Sequence, residues 1–174
     1  MGRIIKLDNR RISHRLALIS LFGVIVFLSK MILPTPIDKM FLVVQAMMLA
    51  LGTLYISRFG GTGVALIGGL LTTLWRPSFA PFSLIIALMY GMLMDILIFG
   101  LRVKIADNEI SLKRLIIAII IATSLTGIMG YSVTILALEL LPRNVMLEML
   151  IFAAAIINGV VAGFLTTSVW RVLK

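Results

Sequence analysis

The fold class follows from the segment LIIAIIIATSLTGIMGYSVTILALELL, which covers Leu115–Leu141. The segment has 27 residues and one charged side chain, Glu139, near its end. A membrane-spanning helix needs about 20 mostly apolar residues. A strand of a membrane barrel would alternate apolar and polar residues, whereas LIIAIIIA at Leu115–Ala122 shows no alternation. The segment therefore predicts a transmembrane helix.

Five further apolar segments lie on either side of it, separated mostly by proline, glycine or arginine. They are Leu16–Leu33, Met40–Ser57, Gly60–Trp75, Phe82–Leu101 and Met146–Val172. Such turn residues commonly mark the ends of helices. We therefore expect an all-α fold, a polytopic membrane bundle of about six transmembrane helices that forms a single integral membrane domain over residues 1–174.

The composition supports this class. Hydrophobic residues make up 61% of the chain and charged residues 13%, against about 45–50% and about 25% in soluble domains. A soluble domain of 174 residues has too much surface for its volume to hide that much apolar area. The composition thus excludes a cytosolic enzyme and a disordered chain, and the absence of cysteine excludes a disulfide scaffold.

The segment Gly60–Trp75 is the shortest of the six. Its 16 residues would give a helix of about 24 Å, shorter than a hydrocarbon core of about 30 Å. A full crossing with local thinning of the bilayer and a re-entrant hairpin both remain open for this segment.

Basic residues predict the orientation. With six spans, one side of the membrane receives twelve of the sixteen lysines and arginines, namely Arg3, Lys6, Arg10, Arg11, Arg15, Arg58, Arg102, Lys104, Lys113, Arg114, Arg171 and Lys174. The other side receives Lys30, Lys39, Arg76 and Arg143. Basic residues collect in cytoplasmic loops, so we expect a cell-membrane protein with both termini in the cytoplasm.

The same placement assigns roles to the charged segments. Residues 1–15 are expected to form a basic cytoplasmic arm, and residues 102–114 a cytoplasmic loop. Attraction of the arm to anionic lipid of the bilayer is the simplest interpretation, and docking to a cytoplasmic partner is the alternative. The net charge of +9 is explained by the basic residues of the predicted cytoplasmic segments. It therefore does not indicate nucleic-acid binding.

Polar residues in the predicted outer half of the bundle are candidates for a substrate-binding pocket. They are Gln45, Trp75, Arg76, Tyr131, Glu139, Glu148 and Asn158. Trp75 would stack on a flat ring, and Arg76 or a glutamate would meet a polar or charged group of the ligand. The competing interpretation is structural, because tryptophan is enriched at membrane interfaces and an acid near a helix end can be hydrated.

Asp95 is the only acidic residue deep within a predicted span. Ionisable groups at such depth usually pair within the protein or face a cavity. Arg58, Arg102 and a helix terminus are its candidate partners. A structural anchor and a transport role both remain open.

Signals of catalysis are missing from the sequence. His14 is the only histidine and lies in the charged arm, whereas a serine–histidine pair or a histidine metal site would need one within the bundle. GxSxG, HExxH and GxxxxGK[ST] motifs are also absent. We therefore expect no enzyme activity, no catalytic residue, no metal site and no cofactor.

A small basic chain of six predicted spans resembles the substrate-binding S-components of energy-coupling factor transporters. The resemblance rests on that architecture, on GGTGVALIGG at Gly60–Gly69, and on TLWRPSFAPFSLIIALMYGMLMDIL at Thr73–Leu97. It implies capture of a micronutrient, a vitamin or its precursor, near the outer face. It also implies partners that supply energy, a transmembrane coupling subunit and ATPase subunits.

The segment GMLMDIL at Gly91–Leu97 is similar to part of the rod-shape-determining membrane proteins of the MreD type, which are scaffolds. An S-component should have a ligand-sized, polar-lined cavity near its outer face, whereas a scaffold should be filled by side chains. A small channel, the third class, would need a continuous pore.

Overall fold

The computed structural model of the chain describes residues 2–32, 42–56, 59–77, 80–103, 109–136 and 145–173. Those residues form six α-helices in chain order. They are α1 (Gly2–Met31), α2 (Leu42–Tyr55), α3 (Gly60–Trp75), α4 (Phe82–Gly100), α5 (Leu112–Leu136) and α6 (Val145–Leu173). The predicted all-α membrane bundle is confirmed.

Helix α1 extends further toward the N-terminus than the predicted span. It begins at Gly2, so the backbone of the basic arm continues the helix. The arm contains no proline and is rich in isoleucine and arginine, which are both compatible with a helix. Hydropathy detects only the part of a helix that suits lipid, and for that reason it predicted a start at Leu16.

Four of the helices contain a stretch long and apolar enough to cross a membrane. The stretches are Ser13–Met31, Phe82–Gly100, Leu112–Val133 and Glu148–Val172. Helices α2 and α3 are apolar but shorter, with 14 and 16 residues, which gives about 21 Å and about 24 Å. The structure thus supports a membrane protein with four helices of spanning length and two short ones, and six full crossings are not established by length.

Neighbouring helices run in alternating directions. Asp95, late in α4, lies against Gly61 at the start of α3, and Tyr55 at the end of α2 contacts Trp170 near the end of α6, with ring centroids 5.7 Å apart. Helix α1 runs parallel to α3, because Ile19 faces Gly63 and Val26 faces Gly68. We call this end of the bundle the Asp95 end, and the end that contains Trp75, Tyr131 and Glu148 the Glu148 end.

Helix α2 is the centre of the bundle. It contacts each of the other five helices, and eight of its 14 residues are buried. Leu49 and Ala50 in α2, Val64 in α3, Met94 in α4 and Ile119 in α5 are fully enclosed members of one core. Large apolar side chains also cover the outside, for example Leu74 in α3, Ile96 in α4 and Ile157 in α6. An apolar exterior around a packed interior is what a lipid environment requires.

Glycines let the helices approach closely. An added Cβ at Gly159 would lie 2.5 Å from Ile120, and one at Gly163 would lie 2.5 Å from Ile116. The GxxxG spacing of α6 therefore packs against α5 of the same chain. Small residues at such spacings commonly serve helix contacts in membranes.

Candidate functional site

Two of the predicted pocket residues meet at the Glu148 end. Tyr131 and Glu148 line one open depression between α5 and α6, with a volume of about 240 Å³. Ser132 completes its polar lining, and the remaining wall is apolar and aromatic: Ile128, Ile151 and Phe152. We call this feature the α5–α6 depression.

The antiparallel arrangement of the two helices brings these side chains together. Tyr131 and Ser132 lie in the last two turns of α5, and Glu148 lies in the first turn of α6. Near the depression, Gly127 approaches Ile151, where an added Cβ would lie 3.0 Å from the isoleucine side chain. Because Gly127 has no side chain, the backbones of α5 and α6 come close to each other near the polar groups of the depression.

Glu148 also has a structural role. A carboxylate in the first turn of a helix interacts favourably with the helix dipole, typically by about 0.3–1 kcal/mol when exposed. Glu148 is half-buried, so a local stabilising role and a part in ligand binding are compatible.

The other predicted pocket residues do not line the depression. Gln45 in α2 and Asn158 in α6 are buried, each 7% exposed. Trp75 ends α3 and is 55% exposed, and Arg76 follows it as the C-terminal cap, its backbone N–H donating to the carbonyl of Thr72. Glu139 lies outside the described residues.

Sequence reasoning missed Ser132, Phe152 and the isoleucines of the wall. The sequence does contain a pattern that could have predicted Ser132 and Phe152. Ser132 is adjacent to Tyr131, and Phe152 follows Glu148 by four residues, a spacing that places two side chains on one face of a helix. The isoleucines carry no such signal in a helix that is apolar on all sides.

Asp95 forms a second polar cluster, at the opposite end of the bundle. It is 4% exposed and accepts four hydrogen bonds. Oδ1 accepts from the Thr53 hydroxyl at 2.5 Å and from the Gly61 N–H at 3.0 Å. Oδ2 accepts from the Thr62 N–H at 2.8 Å and from the Thr62 hydroxyl at 2.6 Å. Of its three candidate partners, the structure shows the helix terminus, which is the start of α3, whereas Arg58 lies outside the described residues.

The Asp95 cluster joins three helices and is an anchor. A carboxylate that receives the first N–H groups of a helix satisfies donors that have no partner within that helix. Gly61 is required for this contact, because an added Cβ would lie 2.5 Å from the Thr53 hydroxyl and 2.8 Å from Oδ1 of Asp95. The glycine-rich start of α3 thus has a packing explanation.

Comparison with known proteins gives no assignment. No protein-family model, no curated protein and no solved structure matches the chain. The described part of the chain also contains no group of three or more histidines, aspartates or glutamates placed to hold a metal ion. The α5–α6 depression is therefore the feature from which a function is proposed below.

Proposed function

We propose that the chain is the substrate-capture subunit of a micronutrient uptake transporter. The observation that carries the proposal is the α5–α6 depression, where Tyr131, Ser132 and Glu148 converge on a partly apolar wall. Small-molecule sites are typically concave and mostly apolar, with a few polar groups that fix orientation. The ligand class, a vitamin or precursor, comes from the resemblance to S-components.

Transport would require partners. The sequence contains no nucleotide-binding motif, so we propose that a transmembrane coupling subunit and ATPase subunits supply the energy, and that the chain has no catalytic activity of its own. Helix α1 packs chiefly against α2 and α3. Ser13 and Ala17 on this helix are exposed.

We propose that the Asp95 end faces the cytoplasm and that all six helices cross the bilayer. Five described basic side chains lie at the Asp95 end: Arg15, Arg102, Lys113, Arg114 and Arg171. Only Lys30 and Arg76 among the described residues lie at the Glu148 end. The positive-inside rule favours this orientation.

Cysteine labelling tests the orientation against a clean background, because the native chain has no cysteine. We expect an Arg171→Cys variant to react with a membrane-impermeant maleimide only after permeabilisation of the cells. A Met146→Cys variant, at a position that is 79% exposed, should react in intact cells. The reverse pattern would overturn the proposed orientation.

Thermal-shift screening of the purified protein with a panel of micronutrients tests substrate capture. We expect one class of ligand to raise the unfolding temperature, because binding to the folded state alone stabilises it. Tyr131→Ala should abolish that shift through loss of the aromatic wall, and Trp75→Ala, outside the depression, is the matched control. A shift lost in Trp75→Ala and kept in Tyr131→Ala would move the site to the end of α3.

A scaffold of the MreD type is the second candidate function. The observation that favours it is the filled interior around α2, where the core residues are enclosed and Asp95 has four hydrogen-bond partners. The two functions differ in their response to the ligand panel. The unfolding temperature of a scaffold would not change with any ligand of the panel. The Tyr131→Ala variant would then still support the scaffold's function in cells.

A further inference from the structure

We propose that the corner between α4 and α5, at the Asp95 end, binds the headgroup of an anionic phospholipid through Arg102 and Arg114. The guanidinium of Arg114 donates a hydrogen bond to the backbone carbonyl of Arg102, with an Nη1–O distance of 3.2 Å. This contact brings two exposed arginines together at one place. We call the pair the arginine corner. The proposal does not depend on substrate capture.

The backbone at Arg102 has an unusual conformation. Its φ is 48°, in the left-handed region where glycine or asparagine commonly ends a helix. The N–H of Arg102 donates to the carbonyl of Phe99, and the N–H of Val103 donates to the carbonyl of Ile98, both at 3.1 Å. Helix α4 therefore ends in a Schellman motif. Left-handed backbone is disfavoured for a residue with a side chain, so the arginine at this position indicates a use for its side chain.

The charge of the corner is positive. The described residues between α4 and the first turn of α5 include three basic side chains, Arg102, Lys113 and Arg114, and one acid, the exposed Glu109, which gives a net charge of +2. The hydrogen bond of Arg114 goes to a neutral carbonyl, so it does not neutralise the guanidinium. The first turn of α5 contains no acidic residue. Because the start of a helix is itself positive, it disfavours cations and attracts anions.

The position of the corner favours a lipid over a soluble phosphate. The apolar stretch of α4 ends at Gly100 and that of α5 begins at Leu112. Each arginine lies two residues from one of these boundaries, so both are at the level of the headgroups. Ile117 and Ile121 follow Arg114 on one face of α5, and both are exposed. An acyl chain would therefore find an apolar surface directly beside the headgroup site.

Native mass spectrometry of the full chain in an uncharged maltoside detergent measures lipid binding. The probes are dioctanoyl phosphatidylglycerol, which is anionic, dioctanoyl phosphatidylcholine, which has no net charge, and glycerol phosphate, which has no acyl chain. An arginine near anionic lipid typically contributes about fivefold in affinity. We therefore expect phosphatidylglycerol to bind at least about tenfold more tightly than phosphatidylcholine. Glycerol phosphate should bind more weakly than phosphatidylglycerol.

Matched variants locate the effect. Arg114→Gln should reduce the affinity for phosphatidylglycerol about fivefold and leave the affinity for phosphatidylcholine unchanged. Arg102→Gly should cause a similar loss without lowering the unfolding temperature, because glycine adopts left-handed backbone readily. Arg171→Gln removes an exposed cation of the same end from α6 and should keep the native affinity.

Three outcomes would overturn the proposal. The first is equal affinity for the two lipids. The second is a loss of phosphatidylglycerol affinity as large in Arg171→Gln as in Arg114→Gln, because the attraction would then come from the charge of the whole end. The third is glycerol phosphate binding as tight as that of phosphatidylglycerol, which would identify a site for a soluble phosphate ester. Substrate capture is decided separately by the micronutrient panel.

Discussion

Replacing Asp95 with alanine is expected to destabilise the folded protein by about 3–5 kcal/mol, because each buried donor left without a partner costs about 1–3 kcal/mol. The substitution removes the acceptor of four hydrogen bonds. The Thr53 hydroxyl has a second acceptor, the carbonyl of Leu49 at 3.0 Å. The N–H groups of Gly61 and Thr62 have no such alternative within the first turn of α3.

Reversible unfolding in mixed micelles measures this loss. Asp95→Asn should lie between Asp95→Ala and the native protein, because the amide keeps one acceptor oxygen and presents a donor where the carboxylate had its other oxygen. Glu109→Ala, which removes an exposed acid at the same end, should leave stability unchanged. Equal stability of Asp95→Ala and Glu109→Ala would contradict the anchor role of Asp95.

The Gly60→Ala variant is expected to lose about 3 kcal/mol or more, the upper range for overpacking in a filled core. A Cβ at this position would overlap the carbonyl oxygen of Gly52 in α2. A backbone atom cannot rotate away as a side chain can, so the start of α3 must move. That movement would also disturb the neighbouring contact between Gly61 and Asp95.

Gly130→Ala is the matched control for Gly60→Ala. Gly130 lies within α5, and an added Cβ there meets no atom of the described residues within 4 Å. Alanine is favoured over glycine in a helix interior by about 1 kcal/mol, so this variant should be as stable as the native protein or more stable. A Gly60→Ala variant that unfolds at the same denaturant concentration as Gly130→Ala would show that α2 and α3 are not in close contact.

Much of the fold could be predicted from hydropathy and turn residues. The predicted span Gly60–Trp75 has the same bounds as α3, and Phe82 begins both the predicted span and α4. The predicted span from Leu16 describes only the apolar part of α1, since a helix can continue past the membrane while its apolar character does not. The six-crossing prediction also exceeded what the lengths of α2 and α3 support.

The candidate site was predictable only in part. Tyr131 and Glu148 were grouped by their expected depth, and the structure brings them together because α5 and α6 are consecutive and antiparallel. Trp75 was joined to them only by its expected depth, and depth does not determine which helices are neighbours. In helices that are apolar on all sides, periodicity does not distinguish a lipid-facing side from a packed one. The burial of Gln45 and Asn158 in the packed interior could therefore not be read from the sequence.

Native mass spectrometry of the protein purified from its own host measures the capture of a small molecule at the Glu148 end. We expect an additional bound mass in the native protein that is reduced in the Glu148→Gln variant and retained in Glu109→Gln. A native protein that carries no small molecule, or one whose bound mass is equal in both variants, would contradict it.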